Sequence, residues 1–213
     1  MAERPASAGE WLLGDAGRPR RVLLETVPVT PADSTAAQHR AGQAAAAAAL
    51  RRAGSTTATV GRRRSGAPVF PAGYAGSVTH AHGVAVGAVA PGALSVGVDL
   101  EFRLPPLHLH RFLLDDAERD LLWPEADQEQ LRRLFSAKEA AFKALTECHD
   151  GHGGLFWRVH LRSHGSALWA QAGNQYAVVR DVVTPDYAFA VAVGVGESSG
   201  PWSPRTSTDP LDE

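Results

Sequence analysis

The sequence predicts an α/β fold, α+β in its detail, built as two similar halves related by a pseudo-two-fold. Three observations predict it. A helical stretch at 30–54 is followed by strand-like segments at 77–90 and 95–102. A second helical stretch at 127–145 is followed by four more strand-like segments ending at 195. Hydrophobic residues make up 44 % of the chain, enough for a packed core. Helix then strands, twice over, gives two halves, although no strict sequence repeat accompanies them. The expected divisions are a ragged N-terminus at 1–20, an N-terminal half at 21–96, a C-terminal half at 97–196 and a disordered tail at 197–213.

Taken in order, RVLLETVPV (21–29) reads as a strand. TPADSTAAQHRAGQAAAAAALRRAG (30–54) reads as a helix, with Asp33 or Ser34 to cap it and Gly54 to end it. Its alanine run predicts a close-packed helix of high propensity. GRRRSGAPVFPAGYAG (61–76) is a basic loop rich in Gly and Pro. SVTHAHGVAVGAVA (77–90) alternates like one strand, and the Pro91-Gly92 turn would fold it onto SVGVDLEF (95–102) as a hairpin. That register would bring His80 and His82 opposite Arg103 and Glu101. Asp115 to Leu122 reads as a short helix stopped by Pro124, and 127–145 as a longer one. Strands are expected at 156–162, 167–171, 175–183 and 187–195.

The formal charge is −2, so no global field draws the chain to nucleic acid or an anionic membrane, and any anion site must be local. With Cys148 as its one cysteine, the chain has no internal disulfide and fits a reducing compartment. MAERPASAGEW lacks the apolar core of a signal peptide, and no run reaches the ~18 apolar residues of a membrane helix. The expectation is a cytoplasmic protein with neither nucleic-acid nor membrane partners.

The chemistry begins with Asp99 and Glu101. Two residues apart on a strand, they share a face, where like charges raise one another's pKa. A divalent cation between them would relieve that cost; the bland alternative is a solvated edge strand. In the second helix Leu131, Leu134, Phe135, Phe142 and Leu145 make an apolar stripe, and Lys138 falls inside it. Such a lysine either snorkels to the edge or meets an anion in a partly dry site. Glu139 and Lys143 are four apart, the spacing of a helical ion pair. Arg62, Arg63 and Arg64 could hold a phosphate or simply be solvated. His80 with His82, His108 with His110 and His149 with His152 are paired histidines without a convincing third zinc ligand. No Walker loop, dinucleotide fingerprint or nucleophile elbow is present in the sequence.

GSVTHAHG (76–83), GVDLE (97–101) and FSAKEAAFK (135–143), in that order and at that separation, resemble the 4′-phosphopantetheinyl transferases. The likeness is to the two-half surfactin/enterobactin type, particularly its actinobacterial members, and covers roughly residues 33–145. The resemblance implies transfer of the phosphopantetheine arm of coenzyme A to a serine of an acyl or peptidyl carrier protein. The carrier would serve fatty-acid, polyketide or nonribosomal-peptide synthesis. It implies that Asp99, Glu101 and Glu139 hold Mg²⁺, with Mn²⁺ as an alternative, and that Glu139 is the base for the carrier serine. It further implies that Thr79 and His80 contact coenzyme A, that Lys138 and Lys143 neutralise its phosphates, and that one chain supplies both sides of the cleft as a monomer. Two departures bear on the nucleotide. Gln43 stands near where the family carries an arginine, with Arg40 close by, and SGAP (65–68) lacks the charge common there. Arg62 to Arg64 are expected to compensate. The alternative reading is a non-catalytic or altered-donor member of the same fold that binds a carrier domain or a pantetheine compound.

Overall fold

The computed structural model describes residues 9–13, 19–32, 34–64, 66–146, 156–165 and 167–196. Strand β1 (Gly9–Leu13) pairs antiparallel with β2 (Arg20–Pro28). This corrects the expectation of a ragged segment throughout 1–20. Leu13 is buried and Trp11 meets Phe189 edge-on at 5.3 Å, so GEWLL has apolar surface to cover. The tail at 197–213, like Cys148, His149 and His152, lies outside the described residues.

Helix α1 (Thr35–Arg52) starts at Ser34, whose Oγ accepts from the Ala37 N–H. Its alanines allow close approach to the sheet beneath. A Cβ on Gly87 would lie 2.4 Å from Ala46 N, so that crossing admits only glycine. A two-residue ladder of β3 (Gly61–Arg62) and β4 (Pro68–Val69) follows.

The stretch 77–90 is two strands, not one. β5 (Tyr74–Ala81) and β6 (Val84–Pro91) form a hairpin turned at His82-Gly83, where φ is 48° and 79°. Two positive φ values make a type I′ turn, which favours Asn, Asp or Gly; histidine at the first position hides it from a sequence reading. Pro91-Gly92 therefore closes no hairpin. The chain leaves the sheet there and enters β7 (Val96–Glu101), which is a strand of the second sheet.

Two short helices, α2 (His110–Leu113) and α3 (Asp116–Leu122), lead to α4 (Gln128–Thr146). The rest is β8 (His160–His164), β9 (Ala167–Ala172), β10 (Gln175–Val183) and β11 (Ala188–Val195). Phe156–Arg158, expected to open a strand, is a 3-10 turn instead.

The sheet orders are β1-β2-β6-β5 and β7-β11-β10-β9-β8, both antiparallel. Strand alternation assigns the faces. Ala85 and Val89 pack against α1, while Val86, Ala88 and Ala90 turn inward to meet Val98, Leu100, Phe189 and Val191 of the second sheet. Ala190 and Ala192 turn the other way, onto Leu131, Leu134 and Ala141 of α4. The layers thus run helix, sheet, sheet, helix. Each half is one antiparallel sheet with one long helix outside it, and the two sheets share a core.

Candidate functional site

The site forms where β5 and β7, one edge strand from each sheet, lie side by side. Edge strands carry unpaired backbone groups, and here side chains satisfy them. The Val98 N–H donates to Ser77 Oγ at 3.2 Å, and Val98 O accepts from Lys143 Nζ at 3.0 Å. Gly97 brings α4 onto β7, since a Cβ there would sit 1.9 Å from Ala140 O. That approach sets Lys143 and Glu139 of α4 beside the acids of β7.

Asp99 is 4 % exposed. Its Oδ1 accepts from Lys143 Nζ at 2.7 Å and from Thr79 Oγ1 at 3.4 Å, while its Oδ2 is buried with no partner. Burial, then the charges of Asp99 and Glu139, push the Glu101 carboxyl up to about 7. Glu139 is also raised, by burial first, with Lys143 pulling it down and Asp99 pushing it up. His80 is lowered, chiefly by burial. Glu101 and Glu139, both held back from ionisation, and the orphaned buried oxygen of Asp99 offer hard-oxygen donors. Mg²⁺ takes donors of that kind, so Asp99, Glu101 and Glu139 suit the expected ion by their chemistry, although among the described residues it is Asp115, Glu118 and His160, and not these three, that stand within 4.8 Å of one another.

A cleft of about 860 Å³ opens over this edge. Thr79, His80 and His82 line it from the first half, and Asp99, Glu101 and Lys143 from the second. The predicted closeness of histidines and acids is therefore realised, but by edge-to-edge packing of two sheets rather than by a hairpin. His82 stacks on Phe102 with ring centroids 4.8 Å apart. The pair reaches across the cleft's rim, and nothing in sequence spacing announced it.

Beside the cleft lies a smaller hollow of about 150 Å³, lined by His39, Gln43, Arg62 and His80. Arg62 donates from Nε to Gly66 O at 2.8 Å, and its two terminal nitrogens meet the His39 ring at 3.2 and 3.1 Å. Arg63 and Arg64 are exposed and line neither hollow. Of the arginine triplet, one member is built into the site.

Lys138 is not in the cleft, which corrects its expected contact with phosphate. It is 1 % exposed, and its Nζ donates to Glu118 Oε2 at 2.7 Å and to Leu113 O. Burial lowers its pKa, with Glu118 opposing. The apolar stripe does hold an anion for it, but a carboxylate of α3. Glu118 also accepts from the Asp115 and Leu161 N–H groups at 2.7 and 2.6 Å. Asp115 accepts from the Glu118 N–H, His160 and Arg162. Burial pushes Asp115 up, but those donors outweigh it and hold its carboxyl at about 2. Asp115, Glu118 and His160 place ligand atoms within 4.8 Å of one another, as a metal would need. Each of the four carboxylate oxygens already accepts a hydrogen bond, so the cluster works as a partly buried tie between α3, α4 and β8.

Comparison with known families assigns both halves. Residues 31–90 match the 4′-phosphopantetheinyl transferase N-terminal domain, and residues 95–192 match the 4′-phosphopantetheinyl transferase superfamily. The two matches together take in most of the chain. No curated protein matches it.

Proposed function

This chain belongs to the 4′-phosphopantetheinyl transferase superfamily, and from that premise we propose that it transfers phosphopantetheine from coenzyme A to an acyl or peptidyl carrier protein. The carrier serine oxygen forms a bond to the phosphorus bearing the pantetheine arm. The bond from that phosphorus to the bridging oxygen breaks, and adenosine 3′,5′-bisphosphate leaves. The observation that carries this reading is Asp99 Oδ2, a buried carboxylate oxygen without a partner in a cleft shared by both halves.

Asp99, Glu101 and Glu139 would hold the cation, and Mg²⁺ or Mn²⁺ bound there would supply positive charge against the pyrophosphate oxygens. Lys143 bonds Asp99 and lines the cleft, where its charge would offset that of the phosphates and the leaving group. Glu139 takes the serine proton, directly or through a water, as the carboxylate placed beside the reacting centre. Thr79 and His80 face the donor from β5. Arg62 and His39 meet its nucleotide in the smaller hollow.

The test is mass spectrometry of an apo carrier protein incubated with the enzyme, coenzyme A and Mg²⁺. The expected result is a gain of one phosphopantetheine group, abolished by chelation. An unmodified carrier across fatty-acid, polyketide and peptide types would reject the reading. One observation favours a second reading, an altered-donor or non-catalytic member. Gln43 stands in the smaller hollow, and Arg62 is already clasped by Gly66 and His39. Titration with coenzyme A separates the two, because that reading expects no binding at millimolar ligand.

A further inference from the structure

Arg132, in the second turn of α4, takes no part in the chemistry above. It is 1 % exposed and among the largest fully buried side chains of the protein. A guanidinium does not shed its charge, so its burial demands compensation. Nη1 donates to Phe102 O at 3.2 Å, and Nη2 to Thr184 O at 2.6 Å and Pro185 O at 3.2 Å. Nε is buried and unpaired. Every acceptor is a carbonyl; among the described residues no carboxylate forms an ion pair with it. A leucine or methionine would fill this place without the electrostatic cost.

The three carbonyls say what the charge is for. Phe102 directly follows Glu101 at the end of β7. Thr184 and Pro185 belong to the turn into β11, whose first residue, Ala188, is Glu101's partner in the sheet. Arg132 thus gathers the segments that fix Glu101. On its own helix it lies seven residues, close to two turns, before Glu139, so the two share a face. Four residues on, Lys143 grips Val98 and Asp99. The helix is therefore fastened to β7 at both ends of the site. From Arg132 to Lys143 the helix rises about 16 Å, and from Phe102 back to Val98 the strand spans about 13 Å, so the two fastenings run antiparallel over comparable lengths. Glu139 and Glu101 both lie between these fastenings.

We propose that Arg132 is a positioning residue for the cation site. It sets the axial and rotational register of α4 on β7, and with it the approach of Glu139 to Asp99 and Glu101. It touches neither the ion nor the substrates. The inference rests on the reading of these three acids as the cation's ligands.

The test uses the full chain, wild type, Arg132→Met and Arg132→Lys, with Mn²⁺ alone as probe. Calorimetric titration gives its affinity without coenzyme A or carrier, and thermal unfolding is measured in parallel. Methionine fills the space without a charge but leaves the Phe102, Thr184 and Pro185 carbonyls without their donor, so some loss of stability is expected and is read from the unfolding curve. The expected result is a folded Arg132→Met protein whose Mn²⁺ affinity falls about 10-fold or more, the usual effect of losing a group that orients ligands. Its KM for Mg²⁺ rises to match, while its KM for coenzyme A stays. Arg132→Lys, which retains a donor, falls between the two. If Arg132→Met does not fold, Arg132→Lys alone decides, by a severalfold loss of Mn²⁺ affinity at unchanged near-ultraviolet circular dichroism. Wild-type affinity in the folded variants overturns the role of Arg132 and leaves the site reading standing. A wild type that binds no Mn²⁺ overturns the site reading, and this role with it.

Discussion

Asp99 has two oxygens with different surroundings, and the difference makes its function testable. Oδ1 is held by Lys143 and Thr79; Oδ2 is buried and bare. Asp99→Asn keeps the shape and an acceptor for Lys143 but removes the charge. Activity is expected to fall about 100-fold or more, as when an electrostatic group at a reacting centre is lost, with the unfolding midpoint little changed. An active Asp99→Asn enzyme would remove the site from the cation. Glu101 gives a second prediction, in pH. Its carboxyl stands at about 7 in the folded chain against an ordinary 4.5. The folded state therefore binds more protons than the unfolded state between those values, and stability falls as pH rises through them. In chelator, the melting temperature of the wild type is expected to drop relative to Glu101→Gln between pH 5 and about 7. Added Mg²⁺ should abolish that drop. A difference that stays flat with pH would mean that Glu101 titrates as an ordinary surface carboxyl. Asp99 and Glu101 were legible in the sequence because a strand's period of two puts both on one face. Arg132 was not, because one arginine of an Arg-Arg pair in a helix gives no sign of which carbonyls it will meet.

At the scale of elements, α4 shows what periodicity reveals and what it hides. Its apolar stripe predicted the helix and its buried face, and Lys138 stood out as a cation inside that stripe. The partner stayed hidden. Glu118 lies twenty residues earlier on α3, and only the folding of α3 over β8 brings its carboxylate to Lys138. The phosphate contact was the wrong anion for a sound observation. Lys138→Met is accordingly expected to act on stability and not on the donor. It leaves the Glu118 charge buried, supported only by backbone N–H groups, at a cost of about 3–5 kcal/mol. Urea unfolding should show that loss, while the KM for coenzyme A of the folded fraction stays within about twofold of wild type. A raised KM with undiminished stability would return Lys138 to the cleft. The same limit governs β5 and β6. Alternation through 77–90 was read correctly as strand, but a histidine in the first place of a type I′ turn masked the reversal at His82-Gly83.

For the whole molecule, the sharing of one core between two sheets decides how the halves depend on one another. Either half, judged by its own helix and strands, looks like a unit that could stand alone. Its inner face argues otherwise. Val86, Ala88 and Ala90 of the first sheet are buried in one cluster with Val98, Leu100, Phe189 and Val191 of the second. Further ties cross the same boundary. Trp11 packs edge-on against Phe189 and lies under the Arg180 guanidinium at 5.1 Å, and His82 stacks on Phe102. Apolar faces of that kind are worth about 25 cal/mol per Å² kept from water, so separating the halves exposes the main source of their stability. The chain is therefore expected to unfold in one cooperative transition despite its two-half form. Tryptophan fluorescence, which reports on Trp11 in one half and on Trp123, Trp157 and Trp169 in the other, and far-ultraviolet circular dichroism should give superimposable urea curves. Coenzyme A with Mg²⁺ should shift both curves together, because a ligand bound in a cleft lined by both halves stabilises only the joined state. Two separated transitions, with the ligand shifting one alone, would mean that the shared core is weaker than its burial implies and that the cleft belongs to a single half.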